Sequence, residues 1–166
     1  MNRLLFIVLL VLSSSPVRAA GADGMFGQGS TQISVSAGNG YAFDNSYFVL
    51  GASATRYVRD GLGIGLSFEN WAGGVPGITK YAPFAQYVFY QSPVVQPFAG
   101  GFYRHTAIAG LPGINSIGGR AGIYIPAGSN AYVSAGLVHE SYLDCQQWIY
   151  RICSETYLEF SLVFGF

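Results

Sequence analysis

His139 and Ser141 stand two residues apart, with Glu155 fourteen residues beyond Ser141. Two residues at that spacing on a strand share one face, about 6–7 Å apart along it. A serine beside a histidine, with a carboxylate to orient the ring, is a hydrolytic constellation: His139 would be the base, Ser141 the nucleophile and Glu155 the orienter. The simpler reading takes His139 and Ser141 as polar residues at a strand end, and it is the one adopted here.

Other reactive side chains are few. Arg104-His105 is a basic pair that could contact phosphate groups. Cys145 and Cys153 are the only cysteines, and their even number and proximity favour one disulfide closing a short loop. Two thiols with no histidine between them do not make a metal site, so no metal and no cofactor are expected. The glycine-rich stretches GLGIG and GGRAG lack the strand–turn–helix setting of a phosphate loop.

The elements that must position these residues are strands. From Gly27 onward apolar and small polar residues alternate, in runs bounded by Gly, Pro, Asn and Asp. In YLEFSLVFGF, Leu158, Phe160, Leu162, Phe164 and Phe166 share one face, and Glu159, Ser161, Val163 and Gly165 the other. Eight such strands are predicted, at about 28–38, 46–58, 61–70, 80–90, 96–106, 116–126, 131–141 and 155–166. The fourth and fifth have the least clean alternation. Short connections at 59–61, 91–96 and 127–130 alternate with longer ones near 39–45, 71–79, 107–115 and 142–154, the pattern of an up-and-down meander.

Composition names the solvent. The chain has 166 residues, a formal charge of zero, 10% charged and 51% hydrophobic residues, and a single lysine, Lys80. Nucleic acid, which needs clustered basic residues, is excluded as a partner. A charged fraction this low is a poor surface for water. The face opposite the apolar one carries Gly, Ser, Gln and Thr, too small and uncharged for a solvated exterior but suited to the narrow lumen of an eight-stranded barrel. Aromatics gather near strand ends (Tyr41, Tyr47, Tyr57, Phe68, Trp71, Tyr81, Tyr90, Tyr103, Tyr132, Tyr142, Tyr157 and Phe166), where interfacial girdles sit. A soluble barrel holding an apolar ligand would need the opposite arrangement, with a charged exterior.

Residues 1–19 read as a cleaved signal peptide: Arg3, an apolar run Leu4–Leu12, a break at Ser13–Pro16 and small residues at the end. The nine-residue run is too short to span a bilayer as a helix. Removing it takes two arginines, and residues 20–166 form one slightly acidic domain.

Signal peptide, eight alternating strands, short turns against long loops and the ending Phe160-x-Leu162-x-Phe164-x-Phe166 together resemble the small eight-stranded outer-membrane β-barrels of Gram-negative bacteria, the OmpA/OmpX-like type. The resemblance implies an all-β, eight-stranded antiparallel up-and-down transmembrane barrel in the bacterial outer membrane. It further implies a monomer in contact with outer-membrane lipid and lipopolysaccharide, whose last strand, through Phe160, Leu162, Phe164 and Phe166, is presented to the barrel-assembly machinery. The segment around His139-x-Ser141 also resembles the outer-membrane lipid A deacylases, eight-stranded barrels with a His-x-Ser motif on one strand and Glu on the next. That family continues with Asn-Ala, where this chain has Tyr142-Leu143.

On these parities Glu69, Arg120, Glu140 and Glu159 point into the lumen, all in its outer half, and Arg104 joins them. Charges in so narrow a space must pair. The expected protein is a non-enzymatic envelope or surface-interaction barrel with a plugged lumen and a disulfide-clasped outer loop. The alternative is a lipid A deacylase using Ser141, His139 and Glu155. The loops WAGGVPGIT and AIAGLPGIN, with Trp148, Ile149 and Tyr150 of the last, are apolar enough to mark contacts.

Overall fold

The computed structural model describes residues 24–92, 94–143, 145 and 153–166. The predicted signal peptide and the apolar centre of the last loop, Trp148 to Tyr150, lie outside them. The fold is a closed antiparallel barrel of eight strands in sequence order: β1 (Thr31–Ala42), β2 (Asn45–Arg59), β3 (Leu62–Ala72), β4 (Ile78–Val88), β5 (Gln96–Ile108), β6 (Ile114–Pro126), β7 (Ala131–Leu143) and β8 (Ser154–Gly165). No helix is long and apolar enough to cross a membrane, among the described residues.

Alternation of side chains places one face of every strand outside. Ile64, Leu66 and Phe68 on β3, and Leu158, Phe160 and Leu162 on β8, are exposed, while Gly63, Gly65 and Ser67 turn inward. The two ambiguous strands resolve in the same way. Ala82, Phe84, Gln86 and Val88 of β4 face in, and Tyr81, Pro83, Ala85 and Tyr87 face out. Phe98, Phe102, Arg104 and Thr106 face in from β5, against Ala99, Gly101, Tyr103 and His105 outside. The bulky residues on both faces of these strands are bulky for two reasons: one set meets the exterior and the other fills the lumen.

Three expectations are corrected. The long connection expected at 39–45 is a two-residue turn, Phe43-Asp44, with φ of 50° and 58°. Both residues occupy the left-handed region usually given to Asn-Gly, so the turn carried no glycine signal. The first strand accordingly runs to Ala42 rather than stopping near 38. Its predicted start is also displaced: residues 24–30 are a short 3₁₀ turn, Gly24–Phe26, and a connecting loop. Third, the aromatic girdle is only partial. Tyr47, Tyr57, Trp71, Tyr132, Tyr142 and Tyr157 have inward parity, because on β2, β3, β7 and β8 they fall on the side of the small polar residues.

The end carrying the short turns is sealed by residues 24–30. Phe26 is 3% exposed and packs edge-on against Tyr57 and Tyr132 and obliquely against Tyr124. Its carbonyl accepts a hydrogen bond from the Gly61 N–H at 2.8 Å, and the Gln28 N–H donates to Asp60 Oδ1 at 2.7 Å. Gly61 has φ of 73°, and a Cβ there would stand 2.5 Å from the Val88 carbonyl, so the β2–β3 turn admits glycine alone.

Candidate functional site

The chemistry of the lumen lies in two polar layers. In the layer toward the long loops, Arg104 donates to Glu140 Oε2 at 2.5 Å, to Tyr157 Oη at 2.6 Å and to Glu69 Oε1 at 3.3 Å. Glu140 is fully buried, and its other oxygen accepts from Ser116 Oγ. Tyr157 also donates to Glu140 Oε2 at 3.2 Å. Strands β3, β5, β6, β7 and β8 thus each supply one group to a single network. Each carboxylate meets a single guanidinium nitrogen, Glu140 at Nη1 and Glu69 at Nη2, in charge-assisted hydrogen bonds.

Lys80, not anticipated as a lumen residue, lies beside this layer, 5% exposed. Its Nζ sits 4.4 Å from the centre of the Trp71 ring, a cation–π contact. It is the cross-strand neighbour of Glu69. Alternation on β4 could have placed it there had the parity of that strand been legible.

The second layer centres on Arg120. Its Nη2 donates to Gln86 Oε1 at 2.7 Å, its Nη1 is 3.8 Å from Glu159 Oε1, and its guanidinium stacks 4.2 Å from the Phe84 ring centre. Gln86 in turn donates to Tyr124 Oη at 3.0 Å and Tyr57 Oη at 3.3 Å, and Tyr57 donates to Gln32 Oε1 at 3.1 Å. This chain leads down to the aromatic seal at Phe26. The five charges expected in one outer group are therefore divided. Arg104, Glu69 and Glu140 form one cluster. Arg120 and Glu159 form another lower down, because Arg120 lies opposite Gly100 and Val138, near mid-strand.

Between the layers the wall of β1–β3 is lined by small residues, and small cavities lie against it among the described residues. One of about 30 Å³ borders Ser34, Ser36, Gly51, Glu69, Arg120 and Glu159. One of about 20 Å³ borders Ser34, Ser53, Thr55, Ser161 and Glu159. Each has room for one or two waters.

The hydrolytic constellation is not assembled. His139 is on the outside of β7, where its Nδ1 lies 2.8 Å from Thr156 Oγ1, and Ser141 shares that outer face. Glu155 has the opposite parity, and its carboxylate accepts a hydrogen bond from Tyr142 inside the barrel. The residue across from His139 is Thr156, which cannot act as an orienting carboxylate. Arg104-His105 is likewise divided by the wall: Arg104 points inward, and His105 outward against Tyr81 and Asn115. Adjacent strand residues point to opposite faces, so they cannot act as one basic pair.

At the outer mouth, the β3–β4 loop folds onto the β1–β2 hairpin. Tyr47 Oη donates to the Pro76 carbonyl at 2.9 Å, and Asn45 Nδ2 to the Val75 carbonyl at 3.0 Å. Ile78, Ile108 and Ile114 are buried at the loop bases, whereas Val75 is 79% exposed. Cys145 and Cys153 are joined in a disulfide across the last loop. Phe160, Leu162, Phe164 and Phe166 all lie on the exterior of the final strand and its end.

No family model and no curated protein sequence matches the chain. Solved structures share its fold. The N-terminal β-barrel domain of Pseudomonas aeruginosa OprF is 18% identical, with a TM-score of 0.67, over 84% of this chain and 99% of that domain. Neisserial surface protein A is 14% identical, with a TM-score of 0.53, over 81% of this chain and 94% of that one. The outer membrane protein OprG from P. aeruginosa is 13% identical, with a TM-score of 0.51, over 88% and 99%. The fold is that of the small eight-stranded outer-membrane barrels.

Proposed function

We propose that this protein is an integral barrel of a Gram-negative outer membrane that works through its outer loops and not through catalysis. Its lumen is plugged by the two polar layers, and its last loop is clasped by the Cys145–Cys153 bridge. The observation that carries this reading is the inversion of polarity across the wall. Glu140, Arg104 and Lys80 are buried inside, while Leu66, Phe68, Leu158 and Phe160 are more than half exposed outside. Such an exterior is stable only against hydrocarbon. The eight strands form one barrel, β8 pairing with β1 over the half of the seam nearer the short turns.

Parity supports the non-catalytic reading. His139 and Ser141 face the lipid side without a carboxylate, and Glu155 is committed to Tyr142 within. Recognition then falls to the loops, whose exposed apolar residues such as Val75 suit lipid or an apolar protein surface. The test has two parts. Extracted protein is expected to dissolve only with detergent and to migrate differently on a gel before and after heating. A detergent-free soluble protein would end the membrane reading. Lipid A from cells with and without the protein is expected to have the same mass, and loss of an acyl chain that depends on Ser141 would establish the deacylase instead.

A further inference from the structure

The seam where the barrel closes is incomplete. Seven strand pairs are in register along nearly their whole length, but β1 and β8 pair only through Gln32–Gly165, Ile33–Phe164, Ser34–Val163 and Val35–Leu162. Below these, Thr31 and Phe166 exchange backbone hydrogen bonds of 3.1 and 2.8 Å. Above them, residues 36–42 of β1 and 154–161 of β8 have register partners only on their other side, in β2 and β7. The outer half of the wall therefore has two facing strand edges.

The unpaired edges reach into the apolar band. Outward residues beside the gap are Ala37, Asn39 and Tyr41 on β1 and Phe160, Leu158 and Thr156 on β8, apolar but for Asn39 and Thr156. Inward residues beside it are small on one side and polar on the other. A Cβ added to Gly38 would meet nothing within 4 Å, so the space inside β1 is open. Glu159, across the gap, has a side chain 38% exposed and holds Arg120 only at 3.8 Å. The 30 Å³ cavity lined by Ser36 and Glu159 lies just inside. The gap is thus amphipathic in cross-section: apolar flanks outside, and a carboxylate with room for a small polar group inside.

We propose that the open outer half of the β1–β8 seam is a lateral portal. It lets the head of a single-chain amphiphile, its tail remaining in the bilayer, reach Glu159. The head is a small primary ammonium. Described side chains give the lumen three cations, Lys80, Arg104 and Arg120, against the four carboxylates already placed there, leaving one negative charge unneutralised. An ammonium donates to a carboxylate that a lone arginine holds loosely, and fits a cavity of one or two waters. The portal can also shut. Continuing the same register would set Ser36 against Ser161, Gly38 against Glu159 and Gly40 against Tyr157, each large side chain facing a small one. The proposal rests on the exterior lying in hydrocarbon, which detergent solubility and heat-modified migration test separately.

The experiment reconstitutes the full barrel in phosphatidylcholine vesicles with dodecylamine carrying a diazirine next to its head, and locates labelled residues by peptide mass spectrometry. Label is expected on 36–40 and 157–161. Glu159→Gln, or the uncharged dodecanol analogue, is expected to lower it about ten-fold, as loss of a hydrogen bond to a charged group would. A lock is made by Ala37→Cys with Phe160→Cys, opposed in the continued register, with Cys145 and Cys153 changed to Ser; Asn39→Cys with Leu158→Cys gives a second lock should the first not fold. Oxidation is expected to abolish lumen labelling and reduction to restore it. Equal labelling of the locked and unlocked barrels, equal labelling by amine and alcohol, or label confined to outward residues would overturn the portal.

Discussion

Arg104 and Glu140 form an ion pair at 2.5 Å in which the carboxylate has no exposed surface. They come from β5 and β7, two strands that do not touch along their length, and meet only because the barrel brings their inner faces together. Removing Glu140 leaves a buried guanidinium with only the more distant Glu69 carboxylate and the Tyr157 hydroxyl as partners. Glu140→Leu is therefore expected to lower stability by about 3–5 kcal/mol, the range for breaking a buried pair. Urea titration of the barrel in lipid vesicles measures it, and a variant as stable as the parent would contradict a structural role for the pair.

Arg120 is held less tightly, by Gln86 at 2.7 Å and by the half-exposed Glu159 at 3.8 Å. Arg120→Leu keeps the contact with Phe84 and frees a carboxylate that water can reach. It is expected to lower the temperature at which the folded gel band disappears, but by less than Glu140→Leu does. An equal or larger drop would mean that the two layers are a single network.

Phe26 seals the end opposite the long loops with aromatic contacts to three tyrosines. Phe26→Ala removes a buried ring from a packed site, which typically costs about 3–5 kcal/mol. The same urea titration reports it. An unchanged midpoint would show that residues 24–30 lie against the barrel without sealing it.

Two neighbouring glycines separate inside from outside. A Cβ on Gly118 would meet the Phe102 ring at 2.3 Å and the His139 carbonyl at 2.6 Å, whereas one on Gly101 would meet only the Gly118 carbonyl at 3.5 Å. Gly118→Ala is expected to impair folding yield in detergent, and Gly101→Ala to leave it near the parent's. The reverse order would invert the facing of β5 and β6.

Strand existence and facing were legible wherever alternation was clean. For β3, β6 and β8 the expected positions end within about two residues of the observed ones, because a two-residue period is carried by each residue's own polarity. The Phe43-Asp44 turn was not legible, since Phe43 is a residue the left-handed region disfavours and no glycine follows Asp44 to mark a two-residue turn. The same alternation, followed through β7 and β8, separates the members of the catalytic triad. With Glu140 and Glu159 inside, His139 had to be outside and Glu155 inside. The division of the charges into two layers, and the burial of Lys80 beside Glu69, depend on the register between strands, which no single strand's sequence encodes.

The central claim is that β8 stands with one face in hydrocarbon and the other in a packed, polar lumen. It is tested most directly by a fluorophore on single cysteines at positions 158 to 164 in turn, in the background lacking Cys145 and Cys153, with quenching by spin-labelled lipid acyl chains. Strong quenching is expected at 158, 160, 162 and 164 and weak quenching at 159, 161 and 163, following their exposure. Quenching without this two-residue period, or strongest at the odd positions, would contradict the account.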